Sequence, residues 1–370
     1  MTTSPEFEIF LVAPPGLETT LCAEVTEKGF TNPVVSPGGV TVTGGWPEVW
    51  RANLVLRGAS RVLVRIGGFR AMHLAQLDKR ARKFAWGDFL QTGTVLRVEA
   101  TCRKSKIYHA GAATQRIETA LVEEMGAVIS AEAGMRLITR IEDDLVTFSL
   151  DTSGEPLHKR GHKMAVGKAP MRETLASLFL RECGYTGTEP VADPMCGSGT
   201  FVIEAAEIAV GLNPGRSRRF AFENFAGFDH QAWQNMRAVQ PDVATPLRFL
   251  GCDRDAGAIR MSTDNAERAG VAAITSFQNQ AVSDFAPPPG PPGLVMVNPP
   301  YGGRIGNKKL LFAVYGALGK TLAARFSGWR VGLVTSEPSL AKSTGLPFLP
   351  NGPVVSHGGL KIGLYRTKAL

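Results

Sequence analysis

Two short stretches roughly a hundred residues apart constrain this chain more than anything else in it. The first is Asp193-Pro194-Met195-Cys196-Gly197-Ser198-Gly199-Thr200, which follows an apolar lead-in and opens a helix at Phe201-Val202-Ile203-Glu204-Ala205-Ala206. A strand ending in a carboxylate, then a Gly-x-Gly turn into a helix, lets backbone N–H groups approach a cofactor closely. Alone, such a turn serves nucleotide, dinucleotide and S-adenosylmethionine sites alike. The second stretch is Asn298-Pro299-Pro300-Tyr301, at the carboxyl end of the apolar run Leu294-Val295-Met296-Val297. That run reads as a buried parallel strand, and in open α/β sheets its carboxyl edge is where ligands bind.

The residue types of the second stretch suit one kind of chemistry. An exocyclic or side-chain NH2 group has its lone pair delocalised into a ring or carbonyl. The Asn298 side-chain oxygen and the Pro299 carbonyl can each accept one of its hydrogens. That holds the nitrogen lone pair toward an incoming methyl group. Tyr301 offers a flat face for a planar base, worth about 1–3 kcal/mol per base stacked. The two prolines fix φ and remove amide donors, so the turn is stiff. The bland alternative is a Pro-rich turn after a strand, and the glycine motif upstream weighs against it.

Together, Asp193 to Thr200 and Asn298 to Tyr301 resemble a class I S-adenosylmethionine-dependent methyltransferase of the amino-methylating kind. More of the chain is similar to one family, the THUMP-containing RNA guanine-N2 methyltransferases. The likeness is carried by Leu157-His158-Lys159-Arg160-Gly161-His162, then Ala169-Pro170-Met171-Arg172-Glu173-Thr174-Leu175-Ala176, then the glycine motif. The tail Gly358-Gly359-Leu360-Lys361-Ile362-Gly363-Leu364-Tyr365 fits that family's ending. The resemblance implies an α/β fold: a Rossmann-like class I methyltransferase domain, with a mostly parallel doubly wound sheet, preceded by an α+β ferredoxin-like and THUMP RNA-binding region. It implies S-adenosylmethionine as cofactor, RNA as partner, and methyl transfer to guanine N2, in 23S ribosomal RNA first and in transfer RNA as the alternative. The domains expected are 1–60 (ferredoxin-like), 61–152 (THUMP-like), 153–170 (basic linker) and 171–370 (methyltransferase).

Within that frame the expected cofactor residues are Asp193, Cys196, Gly197, Gly199 and Thr200 from the turn, and Asp253 from Gly251-Cys252-Asp253. A carboxylate ending the second strand can accept both ribose hydroxyls of an adenosyl group; a plain surface acid is the alternative. Cys196 reads as a small packing residue, and Asp255 as the N-cap of a helix over 256–269. Many relatives place an Asp near position 281 for the adenine amino group. This chain has Ala281, so Asp284 and a backbone carbonyl both stay open for that contact.

Charge is unevenly spread. The chain carries a net +8, yet residues 61–116 alone hold twelve Lys or Arg against Asp78, Asp88 and Glu99, a local +9. A local excess says more about a polyanionic partner than a total does. Arg103-Lys104-Ser105-Lys106-Ile107-Tyr108-His109 forms a basic loop with an aromatic ahead of a helix over 112–124, which suits phosphate contacts. Arg103, Lys104 and Lys106 are therefore candidate RNA ligands, with Lys159 and Arg160 from the linker. Linker residues 157–172 hold five basic residues and no acid (159, 160, 163, 168, 172). For Arg160, pairing with a carboxylate is the equal alternative. The Arg- and Phe-rich segment 214–228 reads better as a loop pinned by buried Phe than as a grip on a single strand.

Alternating strands and helices continue through the remainder. Strands are expected at 7–12, 39–42, 95–100, 144–151, 247–252 and 329–335, and a closing hairpin over 354–366. Five cysteines without a Cys-x-x-Cys pair argue against zinc and disulfides and for a reducing compartment. The polar, acidic opening is no leader, and no apolar run reaches the length of a membrane span; a cytoplasmic protein is expected, with neither metal nor membrane as partner. Asn-Pro-Pro-Tyr equally serves adenine N6, cytosine N4 and the glutamine amide of release factors. The non-enzyme rival is an RNA-binding assembly protein with a vestigial pocket.

Overall fold

The computed structural model describes residues 6–164, 171–239, 244–302, 308–350 and 352–370. Lys168, Ala169 and Pro170 of the linker motif, and Arg304 after Asn-Pro-Pro-Tyr, lie outside the described residues. The chain divides into two compact units. One holds Met1–Val12, Val25–Leu157 and Arg218–Val239, the other Ala13–Glu24, His158–Ser217 and Gln240–Leu370.

The first unit is built on one sheet. In β1 (Phe7–Val12) alternate residues are buried, so Phe7, Ile9 and Leu11 share the core face. β1 pairs antiparallel with β3 (Gly39–Gly44) on one side and β4 (Arg61–Arg70) on the other. β4 continues to β8 (Leu145–Asp151), β8 to β7 (Met135–Glu142), and β7 in parallel to β5 (Val95–Arg103). With β2 (Val34–Ser36) and β6 (Val128–Ile129) at its edges, the order is β2-β3-β1-β4-β8-β7-β5-β6. The boundary expected at residue 60 therefore falls inside a continuous sheet, because Glu8–Val12 is hydrogen-bonded along Arg61–Arg65. Helices α2 (Trp46–Val55), α3 (Leu74–Arg82) and α4 (Ala110–Met125) complete the expected α+β pattern.

The segment 218–239, expected within the methyltransferase domain, belongs to this first unit. Phe220, Phe222 and Phe225 are buried. The Phe222 ring lies 6.2 Å from Trp50 and 5.0 Å from Trp233, and Phe225 lies 5.8 Å from Trp46. Arg218 donates to the carbonyls of Ser153, Glu155 and Pro156. Arg218 and the buried phenylalanines are accordingly structural, the reading that the sequence favoured. The segment ends in α7 (His230–Ala238), N-capped by Asp229, whose carboxylate accepts from Ala232 N at 2.9 Å.

In the second unit the strands are β9 (Val191–Asp193), β10 (Phe249–Asp253), β11 (Thr275–Asn279), β12 (Leu294–Val297), β13 (Arg330–Thr335), β14 (Val354–His357) and β15 (Leu360–Arg366). Their order is β11-β10-β9-β12-β13-β15-β14. All four residues of β12 are buried, the mark of a strand covered on both faces. β11 to β13 run parallel, and β15 closes antiparallel on β13 and β14, as the hairpin expectation required. The chain winds outward from β9 through β10 to β11, then returns to β12 on the other side of β9. That reversal opens a crevice beyond the carboxyl ends of β9 and β12. Covering helices are α5 (Glu173–Glu182), α6 (Thr200–Ala209), α8 (Ala256–Ala269), α9 (Lys308–Arg325) and α10 (Pro338–Ser343), and α1 (Glu18–Glu27) lies near the start of the chain. α8 begins as expected, with the Asp255 carboxylate accepting from Gly257 N at 2.7 Å.

Placing Phe222 in the aromatic core of the first unit has a measurable consequence. Phe222→Ala should destabilise the protein by about 3–5 kcal/mol in urea unfolding. Arg219→Ala, at an exposed position of the same segment, should stay within about 0.5 kcal/mol of wild type.

Candidate functional site

Four backbone and side-chain contacts shape the glycine turn between β9 and α6. Cys196 N donates to Cys252 O at 2.8 Å, and Gly199 N to Cys196 O at 2.8 Å. Gly197 N donates to the Asp253 carboxylate at 3.1 Å, and Asn265 Nδ2 reaches Ser198 O at 3.1 Å. Gly199 has φ +81°, and a Cβ there would stand 2.9 Å from the Ser262 Cβ, so only glycine fits. Gly197 also has positive φ, but a Cβ on it would meet nothing within 4 Å. Its backbone therefore faces open space that a ligand can approach.

Two carboxylates flank the turn. Asp193 is buried, and its carboxylate accepts from Met195 N at 3.0 Å. Burial pushes its carboxyl well above the usual range; the Met195 N–H opposes that and the Asp253 charge adds to it. Asp253 ends β10, accepting from Gly197 N with one oxygen and from Asp255 N at 3.0 Å with the other. Its backbone carbonyl takes the Asn279 amide at 3.0 Å and Gln280 N at 3.1 Å. The carboxylate is thus held at the turn with lone pairs left for hydroxyl donors. Cys196 is buried and its thiol is pushed well above its ordinary value by burial, which suits packing and not nucleophilic attack.

Next to β9, β12 runs in parallel register with Leu294 opposite Val191 and Val295 opposite Ala192. Asn298 follows at the same edge. Its Oδ1 is buried and has no hydrogen-bond partner among the described residues. Leaving a buried acceptor unpaired costs about 1–3 kcal/mol, so this oxygen keeps capacity to accept a further donor. Pro299 is buried and Pro300 half-buried. Tyr301 corrects the sequence expectation: it is 1% exposed, so its ring is packed into the protein and presents no open face to a base.

A family model described as the RMKL-like methyltransferase domain matches residues 160–346, half of the chain, and one described as the RlmL ferredoxin-like domain matches residues 8–63. The chain belongs to the RMKL-like methyltransferase family. It is 30% identical to a putative RNA methyltransferase of Synechocystis sp., over 99% of this chain and 97% of that protein. To the ribosomal RNA large subunit methyltransferase K/L of Marinomonas sp. it is 30% identical over 99% of this chain and 53% of that protein. It spans about half the length of the curated K/L relatives that it matches. The solved structure of SMU.472, a putative methyltransferase complexed with SAH, shares 25% identity and a TM-score of 0.86, covering 100% of this chain and 99% of that one.

The second unit is thus a class I methyltransferase domain, for which the sequence implies S-adenosylmethionine as cofactor. The residues present fit that cofactor. Gly197 leaves its backbone open, Asp253 offers a carboxylate at the end of β10, and the Asn298 acceptor, unpaired among the described residues, stands at the neighbouring strand end. Asp284 is not gathered with them. It lies exposed on a turn after β11, and its neighbour Phe285 stacks on Phe326 at 5.1 Å and accepts from Arg325 at 3.2 Å. That anchors the turn to the far end of α9, and no described contact joins Asp284 to the glycine turn or to Asp253.

The linker of the methyltransferase domain also differs from expectation. Lys159 is exposed, but Arg160 is 1% exposed and paired with Glu204 and with Glu207 on α6, the latter at 3.3 Å. A guanidinium sealed against two carboxylates cannot reach a phosphate, so Arg160 leaves the set of RNA ligands and the pairing alternative holds. His162 is likewise buried, its Nε2 3.9 Å from Glu207. Lys163 turns inward onto Glu173 and Thr200. Single-sequence reasoning missed Lys163, Glu173 and Asn265. Only Asn265 left a signal, because it shares the inner helical face Ala258, Ser262, Ala266, Ala269, where a polar residue needs a partner.

In the first unit the basic loop is presented as expected. Asp144 accepts from Ser105 Oγ and Lys106 N, both at 2.8 Å, which fixes the loop and holds the Asp144 carboxyl below its usual range. Arg103, Lys104 and Lys106 are exposed, and Tyr108 stands 84% exposed beside them. His109 caps α4 by accepting from Ala112 N at 3.0 Å. The basic excess is partly offset within the unit, since Arg103 lies 3.8 Å from Glu142, Arg82 pairs with Asp78 and Glu123, and Arg61 with Asp151. Among the described residues no group of three or more His, Cys, Asp or Glu could hold a metal, and no helix is long and apolar enough to cross a membrane.

His162 makes stability depend on pH. Burial holds its imidazole at a pKa of about 4 against an ordinary 6.5, with Glu207 opposing and Arg160 and Arg216 reinforcing the shift. Below pH 6.5 the unfolded chain takes up a proton that the folded protein refuses until about pH 4. Stability should therefore fall as pH drops through that window, by up to about 3 kcal/mol from this group. In urea unfolding at stepped pH, His162→Gln should flatten the acid limb by that amount; an unchanged limb would refute the assignment.

Proposed function

We propose that this protein transfers a methyl group from S-adenosylmethionine to the exocyclic N2 amino group of a guanine in RNA, with 23S ribosomal RNA as the substrate. The observation that carries the chemistry is the buried Oδ1 of Asn298, without a hydrogen-bond partner among the described residues, at the strand end next to the glycine turn. RNA as the substrate class is supported by the names of the relatives, a putative RNA methyltransferase and ribosomal RNA large subunit methyltransferases, and by the exposed basic loop. Guanine over adenine rests on the family likeness of the sequence, not on a residue of the site.

When bound, the cofactor supplies an electrophilic methyl group carried on a sulfonium. The chain's part is positioning. Gly197 and Gly199 bring the turn's backbone to the cofactor, Thr200 starts α6 behind it, and Asp253 accepts the ribose hydroxyls. Asn298 Oδ1 and the Pro299 carbonyl accept the two amine hydrogens and aim the nitrogen lone pair. No strong base is needed before attack, because the nitrogen sheds its proton readily once alkylated, and holding two reactants in line supplies much of the rate. A guanine inside a duplex cannot present its N2 group, so the base must be single-stranded or flipped. Arg103, Lys104, Lys106 and Lys159 hold the phosphates. The reaction is assigned to the cytoplasm, where ribosomal and transfer RNA are made available.

Asn298→Ala tests the chemistry. The lost hydrogen bond acts where the nitrogen becomes positive, so single-turnover transfer should fall by ~10²-fold or more while RNA affinity hardly changes. Labelled methyl should go from S-adenosylmethionine to RNA of a deletion strain and appear in N2-methylguanosine after digestion. Label in N6-methyladenosine would replace guanine by adenine, and label found only in protein would end the RNA reading. For the RNA surface, the full-length triple variant Arg103→Glu, Lys104→Glu, Lys106→Glu should bind RNA more weakly than wild type, with a shallower salt dependence. Equal binding at low salt would move the RNA site elsewhere.

A further inference from the structure

The Arg160-Gly161-His162-Lys163 stretch takes no part in the chemistry derived above, yet it packs against the helix that opens the cofactor turn. Lys163 is the residue that reaches the turn itself. Its ammonium has three protons and meets three acceptors: Thr200 Oγ1 at 2.8 Å, the Met171 carbonyl at 2.8 Å, and the Glu173 carboxylate at 3.2 Å. The side chain is 8% exposed.

That is an unfavourable place for a cation. Glu173 is the first residue of α5 and Thr200 the first of α6. The ammonium therefore sits where two helices present their N-terminal N–H groups, the positive ends of both dipoles. Burial pushes the ammonium below its ordinary value, with Glu173 opposing. An apolar side chain of the same length would escape the desolvation but leave the buried Glu173 carboxylate without its cation, so lysine here answers Glu173 as well as Thr200.

What lysine adds is a fixed direction for the Thr200 hydroxyl. Its neighbours in the turn are already tied: Cys196 to Cys252, Gly197 to Asp253, and Ser198 to Asn265. Thr200 follows Gly199, whose φ of +81° sends the chain into α6, and its side chain is tied to Lys163. We infer that Lys163 is a positioning residue for the cofactor turn, acting through Thr200 to preset the backbone that receives S-adenosylmethionine. It touches Thr200 and not the cofactor, and the inference rests on the reading that this domain binds S-adenosylmethionine.

Calorimetry on the full-length protein tests this, with S-adenosylmethionine and S-adenosylhomocysteine as probes. Lys163→Met should weaken both by roughly ten-fold, the order for losing one supporting charge-assisted hydrogen bond. RNA affinity, measured by filter binding, should not move. Thr200→Val should weaken cofactor binding similarly, and Thr200→Ser, which keeps the hydroxyl, should restore it. The double variant Lys163→Met, Thr200→Val should bind no worse than either single variant, because both remove the same interaction. Additive losses in the double variant, or wild-type affinity in a folded Lys163→Met protein, would overturn the inference. Should Lys163→Met fail to fold, the Thr200 pair decides: Val weaker than Ser supports it, and Val equal to wild type overturns it. The two readings fail differently. Wild type that binds neither probe at millimolar concentration removes the cofactor reading and this inference together, whereas wild type and variants that bind alike remove the inference alone.

Discussion

The cofactor edge depends on one arrangement, the flanking of β9 by β10 on one side and β12 on the other, all three parallel. β9 has only three residues, Val191–Asp193, and all are buried. It delivers Asp193 and the glycine turn level with the ends of its neighbours, so that Asp253 and Asn298 arrive from opposite sides. The hydrogen bond from Gly197 N to the Asp253 carboxylate spans that junction. Without parallel register the three ends would not share an edge, and no choice of residues in the motifs would compensate.

Around this junction the domain keeps polar groups in places where folding alone would prefer apolar ones. Asn298 carries an acceptor unpaired among the described residues, Asp193 a buried carboxyl, and α6 buries Glu204 and Glu207 against Arg160. Each has a cost in the low-dielectric interior. The two kinds differ, however. The α6 charges are satisfied by one another and hold the helix in place, whereas Asn298 Oδ1 has no partner among the described residues and keeps capacity for one. That contrast separates scaffold from site more sharply than burial does.

How much of this was legible in the sequence follows the range of the interactions involved. The glycine turn, Asp253, the Asp255 cap and the closing hairpin were readable because each is a local pattern of a few residues. The pairing of β1 with β4 and the return of residues 218–239 to the first unit were not, because they join residues far apart in the chain and leave no periodic mark. For Arg160 the sequence left RNA contact and carboxylate pairing equally open, and Lys163 counted only as one more linker charge, since their partners Glu204, Glu207 and Glu173 lie well apart from them in the chain. Tyr301 was misplaced for a related reason: the motif fixes the backbone of Asn-Pro-Pro-Tyr, but the packing around the ring decides which way it faces.

The return of residues 218–239 also bears on how the chain is made. Trp233, Phe222 and Phe225 complete a core whose other walls, Trp46 and Trp50, are synthesised far earlier. At about 5–20 residues per second, the eighty or so residues from the end of β8 to Trp233 take roughly 4–16 s to emerge. During that interval the amino-terminal sheet is present without its aromatic closure, while the first strands of the methyltransferase domain are still inside or just outside the ribosome. The nascent chain must therefore wait with an exposed apolar surface, and neither unit can be finished before the other has begun.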